Sequence, residues 1–104
     1  MSQNQQYSQP VTVHQNYAPV GAHSGGVNIA AAVVLTKPAG AAEIIMQAIT
    51  QNIRFTLDGT TPTATLGFQL NCNSWGPLMV AVPGAAIIVI QEAATASLQY
   101  QWIT

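Results

Sequence analysis

Gln51-Asn52-Ile53-Arg54-Phe55-Thr56-Leu57-Asp58-Gly59 is the stretch whose reading decides the fold. Ile53, Phe55 and Leu57 alternate with Asn52, Arg54 and Thr56, the period-two pattern of a strand with one face on a core and the other towards solvent or a neighbour. Asp58-Gly59 follows at once with positions tolerant of positive φ, and Pro62 ends any ladder that would continue. Outward from this strand, short apolar runs cut by turn residues recur at 27–36, 43–50, 65–70, 78–82, 85–92 and 96–103. In the last of these, Leu98, Tyr100 and Trp102 share one face. Residues 41–49 have helix-favouring composition, yet Ile44, Ile45 and Ile49 give no helical stripe, so this run also reads as a strand. About seven strands at this spacing predict an all-β fold, an antiparallel sandwich or jelly-roll-like barrel. Pro83-Gly84 has the residue order of a type II turn and is equally compatible with a hairpin or with a corner between two sheets.

The composition changes near Gly25-Gly26. Gln3, Gln5, Gln6, Gln9 and Gln15 crowd the chain before that pair, and no Lys, Arg, Asp or Glu precedes Lys37. Residues 1–27 therefore read as an extended polar N-terminal arm and residues 28–104 as the β-domain. The arm cannot bury enough apolar surface to offset its ordering entropy, so it is expected to gain order from a partner surface. Its candidate partner-binding residues are Tyr7, Pro10, Val11, Val13 and Tyr17, with Val11-Thr12-Val13 alternating as a short added strand would.

Charge narrows the function classes. Two basic and three acidic side chains make up 5% of the 104 residues, against roughly 25% in ordinary domains. A net charge of −1 offers no basic field for nucleic acid. So little charge repulsion favours association, with itself or with a larger body. Cys72 stands alone, which excludes an internal disulfide and a cysteine-based zinc site; it reads as a small buried hydrophobe. No signal peptide is expected from the polar first ten residues, and the longest apolar stretch, 78–90, is broken by Pro83-Gly84 and too short for a membrane helix.

The inventory for chemistry is thin. Glu43, Asp58 and Glu92 are the acids, and they read as strand start, turn former and strand end. His14 and His23 both fall in the arm, where a triad or metal site would lack preorganisation, so no catalytic residue, metal or cofactor is expected. Arg54 reads most simply as an exposed mid-strand charge, although its donor fork suits Glu43 or Glu92. Asn71, Asn73 and Trp75 form the kind of amide and aromatic loop that stacks on a sugar, which makes them the candidate glycan-binding residues of an alternative reading, a host-attachment module.

Arg54-Phe55-Thr56-Leu57-Asp58-Gly59-Thr60-Thr61-Pro62-Thr63-Ala64-Thr65-Leu66-Gly67 resembles a strand-and-turn pattern of small β-sandwich structural proteins of tailed bacteriophage virions. The aromatic closing strand is similar to theirs as well, and the resemblance covers residues 43–103. A related Asp-Gly-Thr run also occurs in accessory β-domains of carbohydrate-degrading enzymes, but Leu57 directly precedes Asp58 here and the charge-free arm suits a virion protein better. The resemblance implies a capsid decoration (cement) protein or head-tail accessory protein, without catalytic activity. It also implies a trimer or other homo-oligomer bound to the major capsid protein or another virion protein. Such a protein is made in the host cytoplasm and ends on the capsid surface, touching neither nucleic acid nor membrane.

Overall fold

The computed structural model describes residues 17–73 and 76–104. Among them the chain forms β1 (Pro19–Asn28), β2 (Val33–Thr36), β3 (Glu43–Ile49), β4 (Ile53–Thr56), β5 (Phe68–Leu70), β6 (Leu78–Ala81), β7 (Ala86–Gln91) and β8 (Ser97–Ile103), with no helix among the described residues. These lie in two four-stranded antiparallel sheets, ordered β1-β8-β3-β6 and β2-β7-β4-β5. First pairs with last, second with seventh, third with sixth and fourth with fifth. That nesting is one long hairpin wrapped across two layers, the connectivity of a jelly-roll-like sandwich.

Alternation explains which side chains fill the space between the layers. On β3, Ile44, Met46 and Ala48 point inward, opposite Trp102, Tyr100 and Leu98 of β8. Ile53 and Phe55 of β4 and Ile87 and Val89 of β7 complete the same cluster from the other sheet. Burying each large aliphatic side chain contributes about 1.5–3 kcal/mol, and this is why residues 43–49, the greater part of the helix-favouring run 41–49, form a strand. Period-two burial against β8 outweighs local propensity.

Two runs depart from the sequence reading. Residues 27–36 are not one strand: Asn28 ends β1, its Oδ1 accepts the Ala30 N–H at 3.0 Å, and residues 29–32 cross to the other sheet with Ile29 fully buried. The stretch Pro19–Asn28, all but its last residue assigned by composition to the arm, is the edge strand β1, registered on β8 from Pro19↔Ile103 to Asn28↔Ser97. Backbone pairing needs few apolar side chains, so composition gives little sign of it. The register shifts twice, around the positive-φ Gly21 and Gly26, as bulged edge strands do.

The Pro83-Gly84 link runs from β6 in one sheet to β7 in the other, so it is a corner. Gly84 lacks the positive φ of a type II turn, because a change of sheet requires no tight reversal. Asp58-Gly59 does lie between paired strands, but the link spans residues 57–67 rather than two residues. Gly67 closes it at φ +122, where a Cβ would come within 2.9 Å of the Phe55 carbonyl oxygen.

Strand direction places residues 17–18, the links 37–42, 57–67 and 82–85, and Thr104 at one end of the sandwich. The links 29–32, 50–52, 71–77 and 92–96 lie at the other. Leu98→Ala, at a fully buried position, is expected to cost about 2–5 kcal/mol in urea unfolding, whereas Val34→Ala, at an exposed one, should stay within about 0.5 kcal/mol. Equal costs would contradict this assignment of the core.

Candidate functional site

Four of the five charged side chains, Lys37, Arg54, Asp58 and Glu92, serve the fold locally. Arg54 donates from Nε to Glu92 Oε2 at 2.5 Å and from Nη1 to the Gly67 carbonyl at 2.9 Å, so it is half-buried and paired rather than exposed. Gln69 Nε2 donates to the same Glu92 oxygen at 2.8 Å. The Gln69 amide, and after it the Arg54 guanidinium, hold the Glu92 carboxyl below the usual carboxylate range against partial desolvation. Asp58 Oδ1 accepts the Thr60 N–H at 3.0 Å, which lowers its pKa and shapes the turn, while the Thr56 hydroxyl bonds to the Thr60 carbonyl. Lys37 Nζ donates to the Val82 carbonyl at 2.7 Å. Glu43 opens β3 with Oε1 buried and without a hydrogen-bond partner among the described residues.

The three acids are spread over the sandwich: Glu43 at the chain-entry end, Asp58 in the link after β4, Glu92 just past β7. Among the described residues no group of three or more His, Cys, Asp or Glu side chains is placed to hold a metal ion. His23 sits on β1, its Nε2 2.7 Å from Gln99 Oε1.

The candidate residues of the sequence reading fall at opposite ends. Tyr17 is exposed beside Ala18, whose backbone bonds to Thr104 in both directions; Tyr7, Pro10, Val11, Val13 and His14 lie outside the described residues. Asn71 and Asn73 are at the far end, in the link after β5, and Ser74 and Trp75 lie outside the described residues. Asn71 Oδ1 accepts the Asn73 N–H at 2.7 Å, and Asn52 Oδ1 accepts that of Cys72 at 2.9 Å, so these carbonyl oxygens shape the loop itself. Cys72 is partly rather than fully buried, because it rides on this turn at the edge of the core.

Sequence reasoning missed an apolar opening. β5 and β6 are the outermost strands of their sheets and are joined directly by residues 71–77. Phe68 stands opposite Phe55, and Leu78 opposite Met46, so both occupy core-facing rows. Yet Phe68 is 64% and Leu78 40% exposed, while Phe55 and Met46 are 4% and 0%. Among the described residues nothing closes the sandwich along this seam. Next to it lies a groove of about 400 Å³ lined by Phe55, Leu57, Leu66, Gly67 and Phe68, with the two phenylalanine rings 5.6 Å apart and tilted by 43°. The β5 backbone pairs with β4 on one side and with no other described strand. Alternation could reveal which face Phe68 occupies; whether anything lies across from it is a tertiary fact.

No family model, curated protein or solved structure matches this chain.

The acid network yields a pH prediction. Glu92 and Asp58 have folded-state pKa values below their ordinary ones, so the unfolded chain binds protons first as the pH falls. Their contribution is complete above about pH 5 and is lost as the pH drops through the folded values. Urea unfolding between pH 6 and 3 should show stability falling with acid, and Glu92→Gln should flatten part of that slope. An unchanged slope would remove Glu92 from the network.

Proposed function

We propose that this chain is a virion structural protein of a tailed phage, a capsid decoration protein that binds the assembled head as a homo-oligomer and catalyses no reaction. The observation that carries this reading is the open seam, where core-facing Phe68 and Leu78 remain uncovered on a molecule with almost no charge. Exposed apolar side chains beside an unpaired strand edge mark a surface suited to permanent docking. The local uses of Arg54, Glu92, Asp58 and Lys37 support the same reading, since those groups maintain turns and strand pairs. A protein that binds only the assembled lattice stabilises it by mass action, by about 2.7 kcal/mol per site when its free concentration is a hundredfold above Kd. Many copies multiply the effect.

The test is co-sedimentation with assembled heads lacking this protein. Removing residues 1–16 spares β1, whereas removal through Gly26 would strip most of the edge strand from β8. The full chain should pellet with heads, and the chain without residues 1–16 should bind at least about tenfold more weakly, a loss of about 1.4 kcal/mol or more. Equal binding by both, or binding by neither, would contradict the proposal.

A further inference from the structure

We propose that the open seam is filled by residues Val11-Thr12-Val13 of a second copy of this chain, added as a strand along the free edge of β5. This deepens the virion reading, on which it rests for its biological setting, by naming the partner of the arm as another copy of the same protein.

The first ground is chemical fit. The seam offers exposed Phe68, Leu66 and Leu78, the one charged side chain on the groove among the described residues being Asp58, which is bonded to the Thr60 N–H, and β5 pairs with β4 alone among the described strands. Residues 1–16 contain no charged side chain, and their one β-branched alternation is Val11-Thr12-Val13, preceded by Pro10. Proline suits the first residue of an added strand, where no ladder donor is required. Strand addition supplies backbone hydrogen bonds, while the alternate valines enter the apolar groove.

The second ground is reach. The described chain begins at Tyr17, beside β1 and Thr104, at the end of the sandwich where the Phe55–Phe68 groove also lies. Laterally, however, β1 and β5 are far apart. They end opposite sheets at opposite sides, offset by three strand spacings of ~4.8 Å and, at right angles, one sheet spacing of ~10 Å, a diagonal of about 17.5 Å. An added strand stands one spacing farther out. Val13 precedes Tyr17 by four positions, a reach of about 13 Å at ~3.3 Å per residue. The chain's own Val13 therefore falls short of its own β5 edge, and a neighbouring copy supplies it instead. Because arm and seam are different surfaces, the contact is head-to-tail, and it closes a ring when the rotation between copies permits.

The experiment uses the full chain without any head, so failure to bind heads and failure to self-associate are separate results. Sedimentation velocity is run on the parent chain, on an arm variant (Val11→Glu with Val13→Glu) and on a seam variant (Phe68→Glu). Leu66→Glu serves as a second seam variant, and urea unfolding followed by tryptophan fluorescence reports that each is folded. The parent should sediment at twice the monomer mass or more. Each variant alone should run as a monomer. Mixed together, the arm and seam variants should form a 1:1 dimer, because one retains the seam and the other the arm. A monomeric parent, an arm variant that keeps the parent's mass, or a mixture that stays monomeric would overturn the proposal.

Discussion

Burial of Ile44, Met46 and Leu98 from one sheet together with Ile53, Ile87 and Val89 from the other holds the two layers at a fixed spacing, and the remaining features follow from how far that contact extends. At the β1 and β2 side, a four-residue link and the buried Ile29 close the end of the core. At the β5 and β6 side the strands are three and four residues long. Phe68 and Leu78 are left exposed there in core-facing positions. A monomer in water gains nothing from that arrangement, since uncovered apolar surface beside an unpaired edge invites aggregation. The proposed assembly role would make it the place where burial is completed on docking.

The scarcity of charge acts in the same direction. Soluble proteins commonly protect strand edges with lysine or other charges. Here Lys37 is bonded to the Val82 carbonyl and Arg54 to Glu92, so neither cation guards the seam. Asp58 borders the groove but is engaged by Thr60. Under the proposed reading, docking on such a surface would proceed without long-range steering and would draw its specificity from backbone hydrogen bonds and the shape of the groove rather than from complementary charge.

Much of the fold was legible in the sequence. Ile53 and Phe55, and Leu98, Tyr100 and Trp102, announce their strands because apolar and polar residue types alternate along them, although Thr56 and Ile103 are buried as well. β1 was not legible: Gly21, His23, Ser24, Gly25 and Gly26 carry little strand propensity, and the segment is held mainly by main-chain pairing with β8. The Arg54–Glu92 pair was visible as one option of several, since spacing alone does not say that Glu92 comes beside Arg54 at the end of β7. The seam left no trace in the sequence. Phe68 and Phe55 look alike along the chain and differ in what faces them across the sandwich.

Backbone hydrogen exchange along β5, Phe68–Leu70, tests the central claim that this edge is covered when the protein is assembled. Exchange is compared between the dilute monomer and the assembled state, whether the oligomer in solution or the protein bound to heads. The outward amides of β5 should slow by at least about tenfold on assembly, an added protection of about 1.4 kcal/mol. Rates unchanged between the two states would show that the seam stays open to water and would contradict the account.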